Sequence, residues 1–357
     1  MDGRRRNSSG GRRSISDNFT IVRLFLALAV VFSHSYALVG QPEPLIFGRT
    51  VGNFAVHCFF VISGYLVSGS WARSPGLKFV WRRAARLTPA LALAYFFSLL
   101  AAKLFDNYAG QQFPGVINGS LWTISWEILL YIGVAMFGTL WLLSPTALGS
   151  LYATGLLLVI VALEPQSSGV VVAPLVLLFL CGAFLRLEKR IDIRKIGPVA
   201  LLVLALLFAP GISHRVLGFM QYWSLIFAWD VTVFEVRYYI YLVALPIGLI
   251  FLCAFAPISI KVRVDLSYAV FVFAWPVQQI CVHYMLAWAL PLQPMLLFLA
   301  SASLSMMIAV PVWLYVEKPI NRWRPSGMGQ ARQEKLEGQN SLAERADRTG
   351  RPAGVGL

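Results

Sequence analysis

Arg23 and His34 lie in one apolar run, NFTIVRLFLALAVVFSHSYALV. Their spacing of eleven residues is about three helical turns, or ~16 Å of rise, and at ~100° per residue both side chains return to one face. An imidazole titrates near neutrality and can act as general base or acid at cellular pH. With an Arg near the cytoplasmic entrance and a His deeper in, the two line one side of a possible channel. Taken alone, a snorkelling Arg and a hydrogen-bonded bundle His explain the pair equally well.

Other polar residues interrupt apolar runs. Glu127, in LWTISWEILLY, has Ser125 close by and Tyr131 one turn on. A catalytic role and a salt bridge to a buried Arg such as Arg23 are the two ways to offset its burial. Arg82, Arg83 and Arg86 form RRAAR ahead of Leu87. Arg82 and Arg86 stand at i,i+4 on one helix face, suited to lipid phosphates or to a phosphate-rich ligand. Glu317 closes the last apolar run, and Pro319 stops it. His57 lies in AVHCFFVISGYL, where Ser63 offers a hydrogen bond and Gly64 permits close backbone approach or simple helix packing.

These residues sit in a chain built for lipid. Of 357 residues, 58% are hydrophobic and 13% charged, against ~45–50% and ~25% for soluble domains. The chain holds 24 Phe, 13 Tyr and 11 Trp, too apolar for a disordered protein. Its four cysteines are scattered, which excludes a disulfide scaffold and a CxxC-type metal site, so no metal is expected. The pattern predicts an all-α, polytopic membrane helix bundle of about ten transmembrane helices. The runs are Phe19–Val39, Ile46–Ser70, Leu87–Leu104, Leu121–Leu143, Leu148–Leu163, Val170–Leu185, Val199–Ala209, Tyr238–Phe255, Leu266–Leu286 and Met295–Val316. Val216–Trp229 reads as a continuation of the seventh or as an interfacial helix.

The net charge of +14 is distributed as membrane topology requires, so no nucleic-acid partner is expected. With the amino terminus in the cytoplasm, five N-terminal arginines, the Arg73–Arg86 cluster, the Arg186–Lys195 cluster and the C-terminal cluster all fall inside. The outer loops keep only Arg49, Lys103, Arg215 and Arg237. The expectation is a multi-pass protein of the cell (inner) membrane with both termini cytoplasmic. Residues 1–17 form a disordered basic tail, 18–323 the membrane domain and 324–357 a disordered cytoplasmic tail. Buried Arg, His and Glu among ten spans also suit a proton-coupled transporter, although the paired repeats of many transporters are not found.

In this order, the motifs resemble the acyltransferase-3 family of multi-span membrane O-acyltransferases, with the look of members that acetylate polysaccharides or their lipid-linked precursors. Arg23 and His34 match its Arg-x10-His signature, and FFVISGYL (Phe59–Leu66) its second-span block. RRAARLTPA matches through Arg82, Arg83, Arg86, Leu87 and Pro89. NGSLWTISWEILLY matches through Leu121, Trp122, Ser125, Glu127 and Tyr131. LSYAVFVFAWPVQQI matches through Ser267, Tyr268, Pro276, Gln278 and Gln279, and YVEKPINRW through Glu317, Lys318, Pro319 and Arg322. Departures are His57, where many members carry Asp, Ala274, where many carry His, and Ile128 in place of a second Glu.

The resemblance implies transfer of an acyl group, expected to be acetyl, from acyl-CoA to a hydroxyl of a glycan or glycolipid. No bound cofactor is expected; acetyl-CoA is the co-substrate, and the bilayer is the surrounding partner. His34 would be the general base, with an acyl-histidine left open, and Arg23 and Glu127 would assist it. Arg82, Arg83 and Arg86 would bind the donor. Ser63, Tyr131 and Glu317 would give support. Relatives that acylate small cytosolic molecules keep a second acceptor class open, and an inactive scaffold would leave His34 dispensable.

Overall fold

A computed structural model describes residues 15–105, 113, 115–162, 169–209, 233–255 and 264–322. Val216–Trp229, the C-terminal tail and most of the N-terminal tail lie outside these residues. Ile15 to Asp17, expected in the tail, already belong to the first helix.

Ten helices follow one another among the described residues. They are α1 (Ile15–Leu38), α2 (Val51–Arg73), α3 (Leu77–Leu104), α4 (Leu121–Thr139), α5 (Pro145–Ala162), α6 (Gly169–Leu187), α7 (Ile193–Phe208), α8 (Val233–Phe255), α9 (Ser267–Ala287) and α10 (Pro294–Val312). The last runs on through a π-helical turn, Trp313–Glu317, into Lys318–Arg322. Seven of the ten are long and apolar enough to cross a membrane; α5 and α6 are shorter apolar helices over their described side chains, and α7 has 16 residues.

Several helix starts differ from the hydropathy reading, and those of α2 and α3 have a clear physical reason. Leu45–Ile46 and Arg49–Thr50 (β1 and β2) pair as a tight antiparallel hairpin. Thr50 then caps α2 by accepting the Asn53 amide at 3.2 Å, so the second helix starts at Val51 instead of Ile46. α3 starts at Leu77, ahead of the apolar run, because Lys, Arg and Ala are good helix formers and carry the helix through the whole arginine cluster.

α9 is the axis of the bundle. It packs against α1, α3 and α10, and 78% of its apolar window is buried. Pro276 lacks an N–H, which frees the Val272 carbonyl one turn back. Asn118 Nδ2 fills that vacancy at 2.9 Å and also donates to Ser98 Oγ at 3.1 Å, tying the loop before α4 to α9 and α3. The same repair recurs at Pro246 of α8, where Tyr152 donates to the Leu242 carbonyl at 3.2 Å. Gln278 donates to the Val31 carbonyl and to Ser35 Oγ, both at 2.8 Å, and so fixes α1 against α9. Gly64 meets the backbone of Phe179, and Gly182 meets that of Val61, which lets α2 and α6 cross closely.

The ends of the bundle differ. At one end, α1 begins, α2 ends, α3 begins and α9 begins around Arg23, Arg86 and Asp265. At the other, the hairpin, the end of α7 and the start of α8 meet: Phe47 packs on Phe208 at 4.9 Å, and Arg49 lies 4.5 Å over the Tyr238 ring.

Candidate functional site

Two cavities lie along α1. The first, at the end where α3 begins, holds about 670 Å³ of open space. Arg23 of α1, Ser63 of α2, Arg83 and Arg86 of α3, and Glu127 and Tyr131 of α4 line it, with apolar walls from Phe59, Phe60, Leu66, Leu87 and Phe271.

Within this cleft the arginines are not equivalent. Asp265, just before α9, bridges Arg23 at 2.9 Å and Arg86 at 2.8 Å. Ser267 Oγ donates to its second oxygen at 2.6 Å. Burial alone would raise the Asp265 carboxyl, but the two guanidiniums and Ser267 hold it well below the usual carboxylate range. Arg83 meets no acid within ion-pair distance among the described residues. It donates to Ser70 Oγ at 3.1 Å and lies over the Tyr131 ring at 5.7 Å, while its Nε is buried without a partner there. Arg82 turns away, bonds Ser74 Oγ at 2.8 Å in an exposed position, and does not line the cleft.

This corrects the expected face. Arg83 and Arg86 line the cleft together, whereas Arg82 does not share it with Arg86. The signal was present: Phe79, Leu87, Ala90 and Ala94 form the buried stripe of α3, and Arg83 and Arg86 fall on it at helical spacing. Glu127 likewise differs from both expected partnerships. Ser63 Oγ donates to it at 2.7 Å and Tyr131 donates a short hydrogen bond to the same oxygen; neither Arg23 nor His34 is bonded to it. Ser63 and Tyr131 thus position the Glu127 carboxylate in the cleft wall. Glu317 is buried in the π-turn, with one oxygen unpartnered among the described residues, in the electrostatic neighbourhood of Asp265, Arg86 and Arg23 but not lining the cleft.

The second cavity holds about 550 Å³ toward the hairpin. His34, Glu43, Thr50, Asn53 and Ser120 supply its polar lining. His34 Nδ1, Asn53 Oδ1 and Ser120 Oγ are buried there without hydrogen-bond partners among the described residues. Buried polar atoms are normally paired, so this concentration leaves three polar atoms free to meet water or a polar ligand. Trp275 braces the imidazole edge-on at 5.0 Å, and Gly119 faces the same indole with no room for a Cβ. Ser33 donates a short hydrogen bond to Glu43, which holds that carboxylate at the cavity edge.

Val56, Thr123 and Phe271 line both cavities. Arg23 and His34 therefore open into adjoining spaces on opposite sides of a common wall, as their shared helical face allows. Such an arrangement can hold an anionic, partly apolar donor on one side and a hydroxyl-bearing acceptor on the other. Asp265, Glu43 and Trp275 were not read as site residues. Asp265 resembles a helix-capping acid, Glu43 sits in a short polar loop, and Trp275 lies in an apolar run where an indole is ordinary; nothing local separates them from structural residues.

The comparisons with known proteins agree with the motif order. The acyltransferase-3 profile, described as an acyltransferase domain, matches residues 17–315. An O-acetyl transferase of Shigella phage Sf6 is 38% identical over 34% of this chain and 46% of its own length. Nodulation protein 10 of Rhizobium leguminosarum bv. viciae is 29% identical over 38% of this chain and 46% of its own length. The chain thus matches slightly less than half the length of each of these relatives. No solved structure matches it. The chain belongs to the acyltransferase-3 family.

Proposed function

We propose that this acyltransferase-3 protein is a membrane O-acyltransferase that moves an acyl group, acetyl in the simplest case, from a coenzyme A thioester to an acceptor hydroxyl. The observation that carries the reading is the pair of adjoining cavities: one presents Arg83 with unused donor capacity, and the other presents an unpartnered imidazole among unpartnered polar groups. Guanidinium groups suit the phosphates of the donor, and the apolar walls suit the chain that joins them to the thioester.

In this mechanism His34 takes the acceptor hydroxyl proton as the oxygen attacks the thioester carbonyl. The new C–O bond forms, the C–S bond breaks, and the departing thiolate takes the proton back from the imidazolium. General base catalysis of this kind contributes ~10²–10⁴-fold. Arg23, committed to Asp265, positions the cleft wall, and Glu127 shapes it through Ser63 and Tyr131. The acceptor is a glycan or glycolipid, because several unpartnered hydrogen-bonding groups in one cavity fit a molecule with several hydroxyls. In this reading the donor end faces the cytoplasm and the protein sits in the cell membrane, an orientation the Lys/Arg bias supports.

The test is purified protein in liposomes with acyl-labelled coenzyme A and a panel of glycans, glycolipids and small hydroxylated acceptors. Acceptor-dependent thiol release by wild type but not by His34→Ala is the expected result. Equal thiol release by both sinks His34 as base; label moving across the membrane unconverted points to transport instead.

A further inference from the structure

The hairpin divides two environments. Successive residues of a strand point to opposite sides; Thr50 lines the His34 cavity, whereas Arg49 lines a separate pocket of about 500 Å³. Phe47, Arg49, Phe208, Arg237, Tyr238 and Tyr241 build that pocket. Arg49 and Arg237 are two of the few cations that the charge pattern leaves at this end of the bundle, and the fold brings both to one place.

Among the described residues, no carboxylate lines the pocket and neither arginine forms an ion pair. Arg49 lies 4.5 Å over the Tyr238 ring and 5.8 Å over that of Tyr241. Arg237 Nη2 is buried with no hydrogen-bond partner among those residues. Behind the tyrosines, where an acid would serve as counter-ion, stands His57, fully buried and bonded through Nδ1 to the Tyr241 hydroxyl at 2.9 Å. Phe47 holds a left-handed backbone, φ 52°, at the hairpin tip beside Gly48 at φ 72°. Ring contacts to Phe54, Phe208 and Tyr241 hold it there. Conformations of this kind are costly for a large side chain and collect at functional sites.

The pocket also lies at the end of the apolar helices. It lies where α2 starts, α7 ends and the apolar span of α8 starts at Arg237, the level at which headgroups meet tyrosine-rich interfaces. Basic pockets between helices at that level bind phosphate-bearing headgroups. We propose that Arg49 and Arg237 form a binding site for the phosphate of a lipid headgroup. Two sources share that chemistry: an anionic phospholipid of the bilayer and a phosphate-bearing carrier lipid. Only the second depends on the proposed glycolipid acceptor.

Native mass spectrometry of the detergent-purified full chain reads the bound lipid directly. The probes are phosphatidylglycerol, a polyprenyl phosphate, a neutral glycolipid and inorganic phosphate. Wild type should retain one phosphate-bearing lipid over the neutral glycolipid. Arg49→Gln/Arg237→Gln should lower that retention by at least about tenfold, the scale of a single charged contact, since two are removed. The single Arg237→Lys variant should keep part of it, which covers failure of the double variant to fold. Preference for phosphatidylglycerol assigns a bilayer lipid, and preference for polyprenyl phosphate assigns a carrier. Retention unchanged in the double variant, no preference over the neutral glycolipid, or equal occupancy by inorganic phosphate overturns the lipid site. His34→Ala should bind as wild type does, so loss of acyl transfer and loss of this site are read separately.

Discussion

The two ends of the bundle each gather arginines, and they treat them differently. At the cleft end Asp265 joins Arg23 to Arg86, and Glu127 and Glu317 stand nearby, so acids share the site with the arginines. At the hairpin end Arg49 and Arg237 have tyrosine rings and no acid beside them among the described residues. A count of cations therefore misjudges both ends. What matters is which guanidinium still has a donor to offer: Arg83 at one end, Arg237 at the other.

The largest effect expected from breaking this contrast lies between the ends. His34→Ala should lower acyl transfer by ~10²–10⁴-fold while leaving insertion and donor binding intact, measured as turnover of correctly inserted protein. Next is the common wall. Thr123→Trp should fill the boundary of both cavities and cut kcat by about tenfold or more, with little change in donor KM, because approach of the reactants is hindered more than binding. Donor KM rising in step with the fall in kcat would place the wall inside the donor site.

Within the cleft the arginines should separate. Arg83→Gln should raise the KM for acyl-CoA by about tenfold, the scale of one charged contact, and Arg82→Gln by less. Equal effects would mean that exposed and buried guanidiniums serve the donor alike. Asp265→Asn should act on stability, by about 2 kcal/mol, since its partners are only part-buried, read as thermal unfolding in detergent. Its pH dependence has a fixed sign. The folded carboxyl titrates below its unfolded value of ~3.9. The stabilisation is fully present above that value and is lost as pH falls through the folded one. The gap between wild type and Asp265→Asn should therefore be flat at neutral pH and shrink only in strong acid; a gap that widens there would contradict the ion pair.

The all-α bundle was legible because long apolar runs have few other uses, and the motif order pointed to the family because Arg23, His34, Arg83, Glu127 and Pro276 keep their sequence order. Partnerships were less legible. The pairing of Arg23 with Asp265 joins residues 242 positions apart, beyond any local pattern. Which arginines of α3 line the cleft is not legible either, because spacing alone puts Arg82 beside Arg86, while the side of the helix that packs is decided by Phe79, Leu87, Ala90 and Ala94. Asn118, visible only as part of a loop, takes its meaning from the carbonyl that Pro276 frees in a helix far along the chain.

The wall of Val56, Thr123 and Phe271 carries a further consequence. Thr123 donates its hydroxyl to the Ser120 carbonyl at 3.0 Å, so its one polar group is engaged and the other two are hydrocarbon. An enzyme fed from one side of a membrane and serving the other faces the hazard of any aqueous hole: ion leakage that would short-circuit the cell's electrical gradient. For the proposed reaction, two cavities back to back, divided by a layer to which these three residues bring no free side-chain donor, would let reactants be loaded from opposite sides without an aqueous path between them.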